Sequence, residues 1–348
     1  MKRKTSSLHM NHCDLHFMTL VCFDTACWIF FMFSSGTNFM DAEFNATYIT
    51  LGGYVDVDKY GYIYFVSFLT LYILILCSNC TIICLICIHR NLHEPMYIFI
   101  AALSINSLLF STAVYPKLCI DVLSQHQTIS HSACMFQYFL YYSFAGSDFL
   151  LLSAMSYDRY VSICKPLQYP TIMGKKTVIV LLTLAWFLPA SQLAVGAAMN
   201  LKQKMCTFTT GGVWCNNSVH RLFCVKSSFL TVYVVFVTIT TSVAPVIFIL
   251  FTYIKIFIIT YHISVQFGKK ATKTCLPHLM VLFCFTCFGC FDVMTDQMQS
   301  DLPKSVSLVM TLQVIVYNPL FNPIIYGVKM KEISKHIRRL FCQVKPVK

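Results

Sequence analysis

Long apolar stretches recur along this chain, and their length restricts its fold more than any other feature. Each is close to or above the roughly 20 residues that an α-helix needs to cross a bilayer. Hydrophobic residues make up 57% of the 348 residues and charged residues 11%, whereas about a quarter of a soluble domain is usually charged. The sequence therefore predicts an all-α membrane protein. The candidate spans are 62–88, 96–116, 133–163, 177–199, 229–261, 275–294 and 305–326.

The basic residues indicate which ends of these spans face the cytoplasm. Lys and Arg number 26 against 14 Asp and Glu, and they cluster after the first, third and fifth spans and in the C-terminal tail. Positively charged links remain cytoplasmic. We therefore predict an extracellular N-terminal tail at 40–61, a seven-helix bundle at 62–326, and a short cytoplasmic amphipathic helix with its tail at 327–348. Basic clusters between apolar runs are typical of contacts with membrane lipids, so no nucleic acid is expected as a partner.

The first 39 residues fit this plan poorly. The basic start "MKRK" precedes an apolar run that Asp24 interrupts. Residues 1–39 therefore resemble a signal peptide or an eighth span. Because the sequence from Met40 reads as a complete short tail, the alternative is that 1–39 is an upstream extension, and we favour it.

Two Asn-x-Ser/Thr sequences lie on the predicted outer side, at Asn45 and Asn216. Only an extracellular or lumenal segment can receive an N-linked glycan at such a sequence. Both positions are therefore predicted glycosylation sites, and together they support a tail outside the cell.

Few groups in the sequence could support catalysis or transport. The histidines are scattered, without the i, i+4 pair and acid of a zinc hydrolase, and no Gly-rich phosphate loop occurs. The charges expected in the middle or inner part of the membrane are Asp148 and the adjacent Asp158 and Arg159, whereas several interior charges along a pathway mark transporters. The sequence therefore disfavours an enzyme, a metal centre and a transporter.

Five short motifs occur in order along the predicted bundle. The first span contains Asn79 in "CSNCTI", and "NLHEPMY" follows that span. "MSYDRYVSICKPLQYP" ends the third span, "KATKTCLPHL" opens the sixth, and "NPLFNPIIYG" ends the seventh. From about residue 45 to residue 341, the chain resembles the olfactory (odorant) receptors of the rhodopsin-like, class A, G-protein-coupled receptors, and in detail those of fish more than those of mammals.

This resemblance implies a receptor that binds a small, uncharged or weakly polar odorant in the outer part of the bundle. It implies that the receptor activates a heterotrimeric G protein of the stimulatory or olfactory type and so raises cyclic AMP. It also implies a location in the plasma membrane of olfactory cilia. A class A receptor for another small ligand is the alternative, and a small-solute transporter is a weaker one.

The resemblance also gives roles to residues at the cytoplasmic end. Asp158 would restrain Arg159, and Arg159 would contact the G protein after the sixth span moves outward, which is a two-state element of the kind that allostery requires. A plain ion pair at the membrane boundary is the alternative, and membrane tyrosines are more often interfacial anchors. The other predicted switch residues are Tyr160, Tyr253, His278 and Tyr326.

The resemblance places a ligand cavity among the third, fifth, sixth and seventh spans. Tyr141 occupies the level at which amine receptors carry an acid, which argues against a protonated amine as the ligand because an unpaired buried cation is costly. The predicted lining is Tyr141, Tyr142, Ala145, Gly146, Cys290, Val293, Leu312 and Ile315.

Four cysteines lie on the predicted oxidising side and allow three pairings. The family pattern implies a bond between Cys134 and Cys215 and a second bond between Cys206 and Cys224. The alternative is that one or two of these thiols are free.

Asp148 lies eleven positions before Arg159, or about 20° beyond three full turns and about 16 Å away along an ideal helix. Both residues should therefore face the bundle interior. Most rhodopsin-like receptors carry their interior acid on the second span, where this chain has Ser107. The candidate partners of Asp148 around a sodium ion or waters are Ser107, Asn79, Asn318 and Asn322, and no other cofactor is expected. The alternative is a protonated Asp148 that only joins helices.

Overall fold

The computed structural model describes residues 47–224, 228–263, 276, 279–287, 289 and 303–343. Segment 1–39 lies outside these residues, as do four predicted site residues: Asn45, His278, Cys290 and Val293.

Long helices form over the apolar stretches, and the prediction of a mainly helical protein is confirmed. Within the described residues, five helices are long and apolar enough to cross a membrane. Helix α3 is long but carries several polar and charged residues, and it packs against α2, α4 and α6. Residues 279–287 are also helical. The helices are α1 (Val57–Ile88), α2 (Pro95–Asp121), α3 (His131–Cys164), α4 (Lys175–Leu201), α5 (Ser228–Thr238), α6 (Ala244–Ile263), α7 (Lys304–Lys329) and α8 (Lys331–Gln343).

Local chemistry explains several helix ends and irregularities. Pro95 starts α2, where its missing N–H costs nothing. The hydroxyl of Ser130 caps α3 by accepting a hydrogen bond from the backbone N–H of Ala133 at 3.4 Å. A π-helical turn, Ile239–Val243, joins α5 to α6 just before Pro245, which cannot donate the regular helical hydrogen bond.

The proline in the last span leaves a carbonyl that another helix satisfies. Pro323 has no N–H to donate to the carbonyl four residues earlier, which belongs to Pro319. The side-chain amide of Asn79 on α1 donates to this carbonyl at 3.0 Å. Asn79 therefore fastens α1 to the irregular part of α7.

The segment predicted as a tail at 40–61 is more regular than expected. Strand β1 (Tyr48–Leu51) lies within it, and α1 begins at Val57, five residues earlier than predicted. Strand β1 pairs antiparallel with β2 (Thr128–Ser130) and parallel with β3 (Thr209–Thr210). The resulting sheet, in the order β2-β1-β3, joins the N-terminal segment to two loops at one end of the bundle.

Helix α8 packs back against the start of the bundle. Its Ile333 is buried, and the rings of His336 on α8 and His89 at the end of α1 lie 3.7 Å apart between centroids. The polar residues of α8 alternate with apolar ones at helical spacing, as an amphipathic helix on a membrane surface requires.

Candidate functional site

A cavity of about 580 Å³ opens among α3, α4, α5 and α7, toward the end that carries the sheet. Four of the predicted residues line it: Tyr141, Tyr142, Ala145 and Gly146. The lining also includes Leu193, Gly196, Asn200, Tyr233, Thr238, Thr241, Phe285, Val314 and Asn318.

Two predicted residues on α7, Leu312 and Ile315, are not part of the cavity lining. Ile315 is buried and Leu312 partly buried in a cluster with Phe110 and Trp214. Val314 and Asn318 line the cavity in their place. One residue turns a helix by about 100°, so an error of one position moves a side chain to another face.

Gly146 allows the helices around the cavity to approach each other. A Cβ at this position would lie 3.0 Å from Cβ of Pro189 on α4 and 3.3 Å from Cβ of Thr241 in the π-helical turn. The absent side chain therefore keeps three elements close together at the inner part of the cavity.

Two disulfides hold the loop that covers the cavity. Cys134 at the start of α3 is bonded to Cys215, and Cys206 is bonded to Cys224. The first bond ties the loop to the bundle, and the second closes a smaller ring within the loop. Both match the pairing that the family resemblance implied.

A cluster of polar residues also joins this loop to the N-terminal segment. The hydroxyl of Tyr54 donates to a carboxylate oxygen of Asp121 and to the carbonyl of Val213, each at 3.3 Å. Lys117 pairs with the same carboxylate and donates to the carbonyl of Thr128 at 2.8 Å. Burial and the negative charge of Asp121 raise the pKa of Tyr54, so its hydroxyl remains a donor.

His220 in the covering loop faces Tyr138 on α3. The hydroxyl of Tyr138 and Nε2 of His220 are 3.3 Å apart. Burial lowers the pKa of His220, so its imidazole is neutral at pH 7 and can share one hydrogen bond with the tyrosine.

Asn216, a predicted glycosylation site, is buried and hydrogen-bonded in the covering loop. The residue is 6% exposed, and its side-chain oxygen accepts hydrogen bonds from the backbone N–H and the hydroxyl of Ser218 at 3.1 and 2.6 Å. These bonds hold the turn at Asn216, and glycosylation at this residue stays a prediction.

The predicted switch residues of the described chain gather at the other end of α3. The guanidinium of Arg159 donates to Asp158 at 2.8 Å, and the hydroxyl of Tyr169 donates to the other oxygen of this fully buried carboxylate, also at 2.8 Å. Burial and the nearby Asp158 raise the pKa of Tyr169, which therefore remains a donor. Tyr169 was not predicted, because its position depends on how the loop after α3 folds.

Three tyrosines pack around this end of the bundle. Tyr253 on α6 and Tyr326 on α7 are buried in one cluster with Met155 of α3, and Tyr160 packs against it. The hydroxyl of Tyr326 lies 4.0 Å from the sulfur of Met155. The rings of Tyr253 and Tyr326 therefore lie within the packed core, and Tyr160 is partly exposed at its edge.

A family model and individual relatives of known family both match this chain. A family model described as olfactory receptor matches residues 68–344. The chain belongs to the olfactory receptor family. Human olfactory receptor 10J4 is 32% identical over 281 residues, covering 80% of this chain and 89% of its own length. The chicken olfactory receptor-like protein COR2 is 34% identical over 301 residues (84% and 95%), and the dog olfactory receptor-like protein OLF4 is 31% identical over 294 (83% and 94%).

Family membership makes this chain a class A G-protein-coupled receptor, which is a membrane protein and not an enzyme.

Within this olfactory receptor, the buried Asp148 has a partner that the sequence did not predict. Asn106, beside the predicted Ser107, donates to Asp148 at 2.8 Å and also to the carbonyl of Phe144 at 2.8 Å. Asn106 in turn accepts a hydrogen bond from the indole of Trp186 at 3.2 Å. The second, third and fourth helices are thereby joined at one point.

Ser107 bonds to a different residue of this olfactory receptor. Its hydroxyl accepts a hydrogen bond from the amide of Asn322 at 3.2 Å, which links two of the residues predicted to surround Asp148. The side-chain oxygens of Asn79, Asn318 and Asn322 are buried without a hydrogen-bond partner among the described residues. Buried oxygens of this kind are suitable ligands for a hard cation or for water.

Proposed function

We propose that this olfactory receptor binds a small, uncharged or weakly polar odorant in the outer part of its bundle. Binding activates a heterotrimeric G protein of the stimulatory, olfactory type and so raises cyclic AMP. The cavity of about 580 Å³ carries the proposal, because its described lining has only aromatic, aliphatic and neutral polar side chains. Pockets of about 300–1,000 Å³ with mainly apolar walls suit small molecules.

The proposal includes seven membrane spans with the N-terminus outside, in the plasma membrane of olfactory cilia. The disulfides and the sheet lie together at one end of the bundle, and disulfides belong in an oxidising compartment. The basic residues of the described links after α1 and α3, such as Arg90 and Lys165, follow helix ends on the opposite side, as cytoplasmic segments require.

The G protein would bind at the end that carries Asp158 and Arg159. In the structure, Arg159 is held by Asp158, which Tyr169 also holds. An outward movement of the sixth span would open space beside Arg159 for the G protein, with Tyr253 and Tyr326 packing around it. His278 would pack in the same region by family resemblance.

The experiment is expression of the full chain in cells that carry a stimulatory olfactory G protein and a cyclic AMP reporter, followed by a broad panel of volatile compounds. We expect at least one neutral compound to raise cyclic AMP in a dose-dependent way, with untransfected cells as the control. Normal delivery to the cell surface together with silence across the whole panel would reject the proposed function.

We also propose that Asp148 and the buried amides of Asn79, Asn318 and Asn322 hold a sodium ion. The unpaired oxygens of these amides support the proposal, because sodium prefers oxygen ligands. The cation would supply the positive charge that a buried ionised carboxylate requires.

Replacing Asp148 with asparagine tests this sodium proposal. We expect altered basal activity and loss of any dependence on sodium concentration, because the neutral amide cannot balance a cation. Replacement with leucine should also lower surface expression, because it leaves Asn106 without its acceptor at a cost of about 1–3 kcal/mol.

The measurement is basal cyclic AMP and agonist potency in membranes at low and high sodium. Ser147→Ala is a matched control, since this buried neighbour bonds only to its own helix, through the carbonyl of Ser143. Unchanged basal activity, potency and sodium response in Asp148→Asn would leave Asp148 a purely structural residue.

A further inference from the structure

Two buried amide oxygens in the ligand cavity have no hydrogen-bond partner within the described part of the chain. Asn200, on the last turn of α4, is 2% exposed, and Asn318, within α7, is 8% exposed. Both side chains line the cavity. The Oδ1 atom of each lacks a hydrogen bond from the described residues.

The other polar groups of the lining contrast with these two amides, because most already have partners. The hydroxyls of Thr238 and Thr241 donate to carbonyls of their own helix at 2.9 and 2.8 Å. The hydroxyl of Tyr142 accepts from the backbone N–H of Asn217 at 3.1 Å, and Tyr233 donates to the carbonyl of Gln192 at 2.7 Å. The need for a further hydrogen bond is therefore concentrated at Asn200 and Asn318.

The two amides lie at different depths. Asn200 is one residue before the end of α4, next to the loop that the disulfides hold. Asn318 is fourteen residues after the start of α7, or about 21 Å along that helix. Aromatic and aliphatic side chains line the wall between them. The complementary molecule is elongated, apolar in its middle and polar at both ends.

The chemistry of an amide restricts these polar ends. An unpaired Oδ1 needs a donor, and the same side chain also carries an N–H₂ donor. A hydroxyl both donates and accepts, whereas a ketone, ether or ester only accepts. The described lining contains no charged side chain, which disfavours carboxylates, protonated amines and amino acids.

We propose that the preferred odorants are neutral molecules with a hydroxyl at each end of an apolar body, one bound by Asn200 and the other by Asn318. This inference rests on the proposed odorant-receptor function and gives it a ligand class. Asn318 can serve both the ligand and the sodium site proposed around Asp148, because an amide oxygen has two lone pairs.

The test compares potencies of three matched series on the full-length receptor: α,ω-diols of increasing chain length, the monoalcohols of the same lengths, and the dimethyl ethers of the diols. Leaving a buried acceptor unpaired costs about 1–3 kcal/mol, which is roughly 5- to 150-fold in potency. We expect one diol length to be at least tenfold more potent than its monoalcohol, with the diether weaker than both.

Substitutions in the cavity then test whether Asn200 binds the outer hydroxyl of the ligand. Asn200→Leu should remove the preference for the diol over the monoalcohol, because the outer hydroxyl loses its partner. Thr241→Val is the matched control, since it removes a hydroxyl from the same cavity that is already bonded within its helix, and it should keep the preference.

The outcomes separate the two proposals. Diethers or ketones that match the diols in potency, or an Asn200→Leu receptor with an unchanged preference, would overturn the hydroxyl inference while leaving the receptor function intact. Silence of the wild-type receptor toward every compound of a broad panel would reject both proposals. The ranking on the wild-type receptor needs no variant, so poor expression of Asn200→Leu does not remove the test.

Discussion

Replacing Arg159 with alanine is expected to abolish agonist-stimulated cyclic AMP formation while the receptor still reaches the cell surface. The guanidinium is partly exposed, and its recorded ion pair is with its neighbour Asp158. Alanine removes few packing contacts, and Tyr169 still donates to the buried carboxylate of Asp158, whereas the proposed contact with the G protein is lost. The loss should exceed about 90% of the maximal response, because a central charged contact is usually worth several kcal/mol.

The measurement pairs a cyclic AMP dose–response curve with surface labelling of the same cells. Arg90→Ala is the matched control, because Arg90 is an exposed cation in the link after α1. It should signal normally. Wild-type signalling from Arg159→Ala at equal surface density would reject the switch assignment, whereas equal losses in both variants would indicate a general effect of charge.

The sequence predicted the pair of Asp158 and Arg159, because two adjacent charged residues at a helix end can pair whatever the tertiary structure is. The third member, Tyr169, lies eleven residues beyond Asp158, in a turn that packs beside α3. No periodicity indicates which of the nearby tyrosines points back to the carboxylate. Contacts that depend on a loop conformation therefore could not be predicted.

The hydrogen-bond partner of Asp148 illustrates a different limit of prediction from sequence. Asp148 was predicted to face the interior from its spacing to Arg159, and it is 3% exposed. Its partner is Asn106 and not the neighbouring Ser107. Adjacent residues differ by about 100° around a helix axis, so an error of one position was enough to exchange the two roles.

The sheet at the disulfide-bonded end of the bundle was not predicted, because its strands are short and far apart in the sequence. Strand β1 has four residues, and its partners β2 and β3 lie about 80 and 160 positions later in the chain. Strand propensity depends strongly on the neighbouring strands. Four apolar and hydroxyl residues before a predicted membrane helix therefore read as an irregular tail.

Replacing either Cys134 or Cys215 with serine is expected to remove most of the receptor from the cell surface and to abolish its odorant response. The bond joins residues 81 positions apart, and the entropy of closing a loop of that size corresponds to about 4–5 kcal/mol of stability. Proteins are commonly stable by only about 5–15 kcal/mol. Both sulfurs are fully buried beside the cavity, so the covering loop would also lose its position.

The double replacement separates a bond from two independent thiols. A disulfide is lost with the first substitution, so Cys134→Ser together with Cys215→Ser should be no worse than either single change. Cys77→Ser is the control, because Cys77 is a free, exposed cysteine on α1, and it should express normally. Surface labelling and cyclic AMP curves of all four variants are the measurements. If the two single losses instead add in the double variant, Cys134 and Cys215 act separately, and the loop over the cavity must be held by its contacts with Tyr54 and the sheet.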